Sequence, residues 1–279
     1  MRQREDLINR LLTAESAALP ETDPAVLRRR LEETLPAFAD LTPQEDDCYP
    51  GEIAALEGHP DVLVSAGDLT LPDRQLRIAV VGSRNAGEED LKVAYDTAKA
   101  LAERGAVIVS GLAAGVDRAA HLGALAAKVE GGRPGRTVGV MGTPLSAPWP
   151  PVNAELARRM MTEGLVISMC PQVRGLDFTD EERAASLRKR NREVAALSCG
   201  SLIVAAKTGS STLIEASHAL ALERPVLVWK TNAERGEPWL TDWLEKMPTD
   251  RTGRPLVHVV GSADDIEAAV SPWVNVWWL

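Results

Sequence analysis

The sequence predicts a doubly wound, mainly parallel α/β sheet of the Rossmann type, preceded by a small helical N-terminal region. Short continuous apolar runs recur as strand candidates, among them RIAVVG at residues 77–82, AVIVSG at 106–111 and SLIVAA at 201–206. Helical stretches of ten or more residues separate these runs. Glycine or serine stands where several of them give way to the next helix. Runs that are apolar on both faces and alternate with helices belong to a parallel sheet covered on both sides.

Residues 1–58 are rich in Leu, Ala, Arg and Glu. Leu7, Leu11 and Leu12, then Leu27 and Leu31, stand at helical spacing, with Pro20, Pro24 and Pro36 as punctuation, so this region is expected to be helical. DVLVSAGDL, from residue 61, reads as a strand with a turn, and RIAVVG as a buried strand ending in glycine. Helices are then expected over 88–105, 116–129, 152–164, 182–198 and 211–223. Between them lie the strands AVIVSG, RTVGVM, LVISMC and SLIVAA, with PVLVWK after the last. PWLTDWLEKM, the strand-like PLVHVVG and the short helix SADDIEAAV follow. The expected organisation is a helical region at 1–58, a Rossmann-like domain at 59–265 and a tryptophan-rich tail at 266–279. Trp273, Trp277 and Trp278 would be costly in water, so they are expected to pack on the domain or on another subunit.

Composition narrows the function. The chain has 279 residues, 45% of them hydrophobic, enough for a sizeable core. Cys48, Cys170 and Cys199 lie far apart and the N-terminus MRQREDLINR is charged, so a reducing cytoplasm is the expected compartment. Every apolar run is broken well short of a membrane span, so no membrane contact is expected. Four histidines without metal-ligand spacing and no paired cysteines argue against a metal site, and no cofactor is expected. A formal net charge of −9 opposes a broadly basic nucleic-acid surface, so any DNA site must be a local basic groove.

In open parallel sheets, ligands bind beyond the carboxyl ends of the strands, where helix N-termini present free N–H groups to anions. Four strand-to-helix turns are unusual here. GSRNAG contributes Gly82, Ser83 and Arg84; SGLAAGVD contributes Ser110, Gly111, Gly115 and Asp117; MGTPLSAPWPPVN contributes Gly142; and TGSST contributes Gly209, Ser210, Ser211 and Thr212. Glycine permits close approach of a phosphate, and hydroxyls donate to it; equally, glycine ends strands and serine caps helices in any α/β protein. Neither a Walker A motif nor the G-x-G-x-x-G fingerprint is present, which argues against ATP hydrolysis and hydride transfer. The run SLRKRNREVAAL gathers Arg188, Lys189, Arg190 and Arg192. It reads either as a solvated helix face or as a site where Arg190 and Arg192 grip phosphate, with Asn191 between them. Trp149 is the one aromatic placed to stack on a base near these turns, or else it packs at the entry to the next helix.

These segments resemble the DprA/Smf family of DNA-processing proteins. HPDVLVSAGDL followed by RIAVVGSR is similar to the family's P-x-V-L-F-x-x-G-D-L and V-A-I-V-G-S/T-R. SGLAAGVDRAAHLGAL resembles S-G-L-A-x-G-I-D-x-x-A-H-x-x-A-L, with Gly115, Asp117 and His121 in place. PWPPVNAEL parallels Y-P-x-x-N-x-x-L, and KRNREVAALS parallels R-N-R-I-I-A-G-L-S. The similarity covers roughly residues 60–230. It implies a domain that binds single-stranded DNA in a positive pocket, helps load a RecA-type recombinase, and pairs as a homodimer. Carried over, Ser83, Arg84, Ser110, Gly111, Gly115, Arg190, Asn191 and Arg192 line the phosphate path; Asp117 is either part of it or a helix cap, and His121 either joins it or packs against Asp117.

The chain also departs from the family. The family's S-E-x-P has Met169 where glutamate stands, the proline-glycine after the last core strand is missing from VLVWKTNAERG, and no winged-helix pattern appears. S-G-S-L-I-T-A becomes SSTLIEA, which places Glu215 six residues after Gly209 and three after Thr212. That spacing resembles the G-T-x-x-E of the LOG phosphoribohydrolases, which release the base from nucleoside monophosphates. The resemblance implies a role for Glu215 with Arg190 at the ribosyl carbon; a helix-surface carboxylate favoured by the helix dipole is the simpler reading. Three functions are therefore carried forward: binding of single-stranded DNA without catalysis, sensing of a phosphorylated nucleotide in defence or signalling, and hydrolysis of the N-glycosidic bond of a nucleotide.

Overall fold

The structure, a computed structural model, describes residues 2–129 and 135–274. Helices α1 (Arg2–Ala18) and α2 (Pro24–Thr34), strand β1 (Asp40–Pro43) and helix α3 (Gly51–Ala54) precede β2 (Val62–Gly67). The alternating part runs β3 (Arg77–Val81), α4 (Glu88–Glu103), β4 (Val107–Ser110), α5 (Val116–Ala126), β5 (Thr137–Met141), α6 (Ala154–Glu163) and β6 (Leu165–Ser168). It continues with α7 (Asp180–Lys189), α8 (Asn191–Ala196), β7 (Gly200–Ile203), α9 (Ser211–Ala221) and β8 (Val226–Trp229). Helices α10 (Lys230–Glu234) and α11 (Pro238–Lys246), strand β9 (Val257–Val260) and helix α12 (Ala263–Val274) complete it.

The nine strands form one sheet in the order β1-β2-β6-β5-β4-β3-β7-β8-β9. From β6 to β9 all neighbours are parallel, while β2 pairs antiparallel with both β1 and β6. The expected doubly wound, mainly parallel sheet is therefore observed. Successive side chains of β3 divide between the two faces, Ile78 and Val80 packing with α4 and α5 residues and Ala79 and Val81 with residues of α8 and α9. That two-sided burial is why the strands read as unbroken apolar runs. Local signals fix the helix starts: Asp23 accepts from the Ala25 N–H at 2.7 Å ahead of Pro24, and Thr179 and Glu182 form a capping box on α7.

Three features differ from the sequence expectation. The region 1–58 is not wholly helical, because Asp40–Pro43 adds β1 to the sheet edge, where Pro43 needs no inward N–H. The helix expected over 182–198 turns at Arg190 into α7 and α8. Helix α12 runs across position 265 without a break, and Trp273 is buried in it, its Nε1 donating to the Glu223 carbonyl at 2.8 Å. Trp277 and Trp278 lie outside the described residues. Among the described residues no helix is long and apolar enough to cross a membrane.

The order in which successive strands are laid down reverses between the parallel neighbours β3 and β7: from β3 the connections step to β4, β5 and β6 on one side, and from β7 to β8 and β9 on the other. Such a switch point splays the loops after adjacent strands apart and leaves a crevice at their carboxyl ends.

Candidate functional site

The crevice at the switch point is walled by four segments. Val81, Gly82 and Arg84 follow β3; Ala113 and Asp117 come from the β4–α5 connection; Leu187, Arg188, Arg190, Asn191 and Val194 come from the α7–α8 corner; and Ser211, Thr212 and Glu215 open α9. Its free space is about 40 Å³, roughly three times what a single water needs. That suits one phosphate-sized group, with anything longer lying across the mouth.

Arg190 is the centre of the site. It is only 5% exposed, yet among the described residues its guanidinium has no ion pair within 4.0 Å and its Nε has no hydrogen-bond partner. Gly111 explains how it fits, since an added Cβ there would land on the guanidinium. Burial works against the charge of Arg190, Asp117 supports it, and Arg84 opposes it. Asp117 in turn accepts from the Gly111 and Ala113 N–H groups at 3.1 and 3.3 Å. Burial pushes its carboxyl upward, against the pull of Arg190 and these backbone bonds. Asp117 thus folds the β4–α5 loop back on itself instead of capping α5, whose N-cap is Gly115. Gly115 has φ +76°, and a Cβ there would strike the Ser83 carbonyl.

Glu215 forms another wall. Its Oε1 accepts from Ser201 Oγ at 2.7 Å, while its buried Oε2 has no partner among the described residues. Burial pushes this carboxyl to about 8, with Ser201 and Arg190 opposing the rise. At neutral pH it is therefore a protonated donor and does not repel an anion. Ser210, the N-cap of α9, also keeps a buried hydroxyl without a partner among the described residues. Arg190 and Glu215 together leave a guanidinium N–H and a protonated carboxyl oxygen unsatisfied around one small space among the described residues, and buried polar groups without partners are uncommon. The arrangement suits an oxyanion with several acceptor oxygens.

The structure brings Gly82, Arg84, Asp117, Arg190, Asn191, Ser211, Thr212 and Glu215 to the crevice wall. The other candidates sit around it. Ser83 is in the loop behind Arg84, its hydroxyl accepting from the Asn85 N–H, and Ser110 is fully buried, donating to the Val80 carbonyl at 2.7 Å. Gly111, Gly115 and Gly142 have packing neighbours, Gly142 meeting the Ser186 backbone. Gly209, with φ +77°, faces open space next to Ser210. Arg192 is turned to Glu193 in an ion pair at 3.0 Å, and Arg188 stands in the crevice wall. Asn191 Nδ2 donates to the Ser211 carbonyl at 3.3 Å and ties the α7–α8 corner to α9.

His121 does not reach the crevice. It is fully buried, paired through Nδ1 with Thr137 Oγ1 at 2.7 Å, and burial holds it down at about 3, so it stays neutral. Thr137 gives its own proton to the Ile108 carbonyl, so Nδ1 carries the histidine proton. Trp149 is 39% exposed, with the Arg183 guanidinium stacked 4.5 Å from its ring centre. Sequence reasoning missed Asn153, whose Nδ2 donates to the Leu112 and Ala113 carbonyls and whose Oδ1 accepts from Arg118. Its signal was the helix-start position after PWPPV. No group of three or more His, Cys, Asp or Glu able to hold a metal occurs among the described residues.

A doubly wound sheet with an arginine-centred crevice at its switch point places the chain in the Rossmann-like class. The chain belongs to the DprA family: the family model for DNA recombination-mediator protein A matches residues 40–240. The DNA processing protein DprA of Bacillus subtilis is 32% identical over 178 residues, 64% of this chain and 56% of that protein. Its Streptococcus pneumoniae counterpart is 34% identical over 192 residues, covering 68% and 61%. Protein Smf of Synechocystis is 33% identical over 189 residues, covering 67% and 44%. The chain thus spans about half the length of these curated relatives. The crystal structure of S. pneumoniae DprA superposes with a TM-score of 0.66 at 28% identity, over 88% of this chain and 82% of that one. DprA of Helicobacter pylori, whose structure describes a single-stranded DNA binding mode, has the same fold, with a TM-score of 0.65 at 23% identity over 84% and 96%.

Proposed function

We propose that this DNA-processing protein binds single-stranded DNA by seating a backbone phosphate in the crevice. Arg190 carries the reading: a buried guanidinium with no ion pair within 4.0 Å among the described residues is expensive, and a phosphate oxygen pair matches its fork. Arg84 and Arg188, without carboxylate partners among the described residues, flank it and suit the neighbouring phosphates. The start of α9 contributes its positive dipole end. Trp149, with Arg183 behind it, provides a stacking surface for a base. The family resemblance further supports a cytoplasmic homodimer that passes the strand to a RecA-type recombinase.

The test is fluorescence anisotropy with a labelled oligonucleotide across a salt series. Three phosphate contacts predict a slope of about −2 in log affinity against log salt, or roughly a 20-fold loss from 50 to 200 mM. Arg190→Ala should abolish the tight phase, and no retention at 50 mM salt would sink the reading. A second reading rests on Glu215, whose protonated, unpartnered oxygen is suited to act as a general acid on a nucleoside monophosphate. It requires free base to be released by the wild type and not by Glu215→Gln.

A further inference from the structure

A second cavity, of about 230 Å³, lies beside the crevice and shares Arg190 with it. Its roof is α1, through Leu11 and Ala14; its walls are β2, through Val62 and Val64, the segment after β6, through Met169 and Pro171, and the α7–α8 corner. The space is more than ten times what one water needs, and its lining is largely apolar. Polar groups along most of the wall are already occupied: Arg10 is clamped by Glu45 and Asp61, and Glu15 accepts from the Val173 and Arg174 N–H groups. Unused polar capacity is concentrated at the corner, where Glu193 is 2% exposed, its Oε1 is paired with Arg192 and its Oε2 has no partner among the described residues.

Two departures from the family motifs meet in this cavity. Met169 stands where S-E-x-P has glutamate, and Glu193 stands where R-N-R-I-I-A-G-L-S has isoleucine. Met169 gives the cavity an apolar side after β6, and Glu193 gives it an acceptor on α8. A flat apolar ring with an N–H edge fits that arrangement, because a carboxylate is an acceptor only.

Resting on the phosphate reading above, we propose that this cavity takes a nucleobase of the strand whose phosphate lies on Arg190, with Glu193 selecting a base that offers an exocyclic amino group. Cytosine N4 is the amine that glutamate accepts from in base recognition, so Glu193 is a specificity-determining residue. Thymine presents carbonyl oxygens on either side of its single imino N–H, and these face the carboxylate unfavourably.

Anisotropy with labelled oligomers of dC, of dT and of abasic residues tests this at one low salt concentration. The dC strand should bind about five- to tenfold tighter than dT, and the abasic strand more weakly than dC. Glu193→Gln, which is isosteric, should bring dC and dT together. Ala14→Trp, on the exposed side of α1 at the cavity mouth, should erase the same preference by obstructing entry. Equal binding of all three strands overturns the base pocket and leaves the phosphate site standing, whereas binding of none overturns both. Free dCMP binding as tightly as the dC strand would also overturn it, because the site would then serve a free nucleotide.

Discussion

Replacing Glu215 by glutamine is the perturbation whose outcome the structure specifies best. The folded chain holds this carboxyl proton up to about pH 8, against an ordinary value of 4.5. Between those limits the folded state keeps a proton that the unfolded state has released, so stability falls as pH rises across the window. At about 1.4 kcal/mol per pH unit, the loss from pH 6 to pH 8 is about 2 kcal/mol, the slope flattening near the upper limit. Glutamine removes the titration, keeps an acceptor for Ser201 Oγ and keeps a donor toward the crevice. Wild type and Glu215→Gln should therefore diverge with pH, the variant gaining roughly 4 °C or more in Tm relative to wild type between pH 6 and 8. Asp117, which is also pushed upward by burial, is present in both proteins and largely cancels in the difference. Differential scanning fluorimetry at half-unit pH steps measures this directly. Parallel pH profiles would refute the assignment of a buried protonated carboxyl.

Two further outcomes follow from the same geometry. Gly111→Ala puts a methyl where the Arg190 guanidinium lies, so it should cost about 1–3 kcal/mol and weaken oligonucleotide binding at least tenfold; unchanged binding in anisotropy would show that Arg190 is not held there. Trp273→Ala removes a buried ring and its bond to the Glu223 carbonyl and should lower stability by about 3–5 kcal/mol in urea unfolding, with crevice affinity unaffected in the remaining folded protein.

The sheet was legible because the burial that defines it is written into consecutive residues: Ile78, Ala79, Val80 and Val81 need no partner to be read as a two-sided strand. Strand β1 was not, since DLTP has neither an apolar run nor clean alternation and is held by pairing with β2. Within the site, the turn motifs located the crevice but misjudged what the glycines do. Gly111 and Gly142 make room for Arg190 and α7, not for a ligand's backbone approach. A sequence shows that a side chain is absent and cannot show which neighbour fills the gap. Likewise Arg188 and Arg192 stand symmetrically about Arg190 in sequence, and only the turn between α7 and α8 sends one to the crevice and the other to Glu193.

The acidic balance of the chain, which argues against a DNA-binding surface, becomes compatible with one when the pairing of charges is considered. Arg10, Arg77, Arg104, Arg174 and Arg235 are each spent on a carboxylate within 4.0 Å. Arg84, Arg188 and Arg190 have no such partner among the described residues, and all three border the crevice. Of the acidic side chains nearest them, Glu215 is protonated at neutral pH, Asp117 is engaged by backbone N–H groups and Glu193 is paired with Arg192. At a Debye length of about 8 Å, a phosphate at the mouth responds chiefly to these neighbours and only weakly to the net charge of −9. Long-range repulsion should slow association, and the short-range contacts should govern dissociation. Raising salt therefore acts on both, screening the repulsion while weakening the contacts, so the association rate should change less with salt than the dissociation rate. A stopped-flow series in which association alone slows with added salt would contradict a locally basic site on an acidic chain.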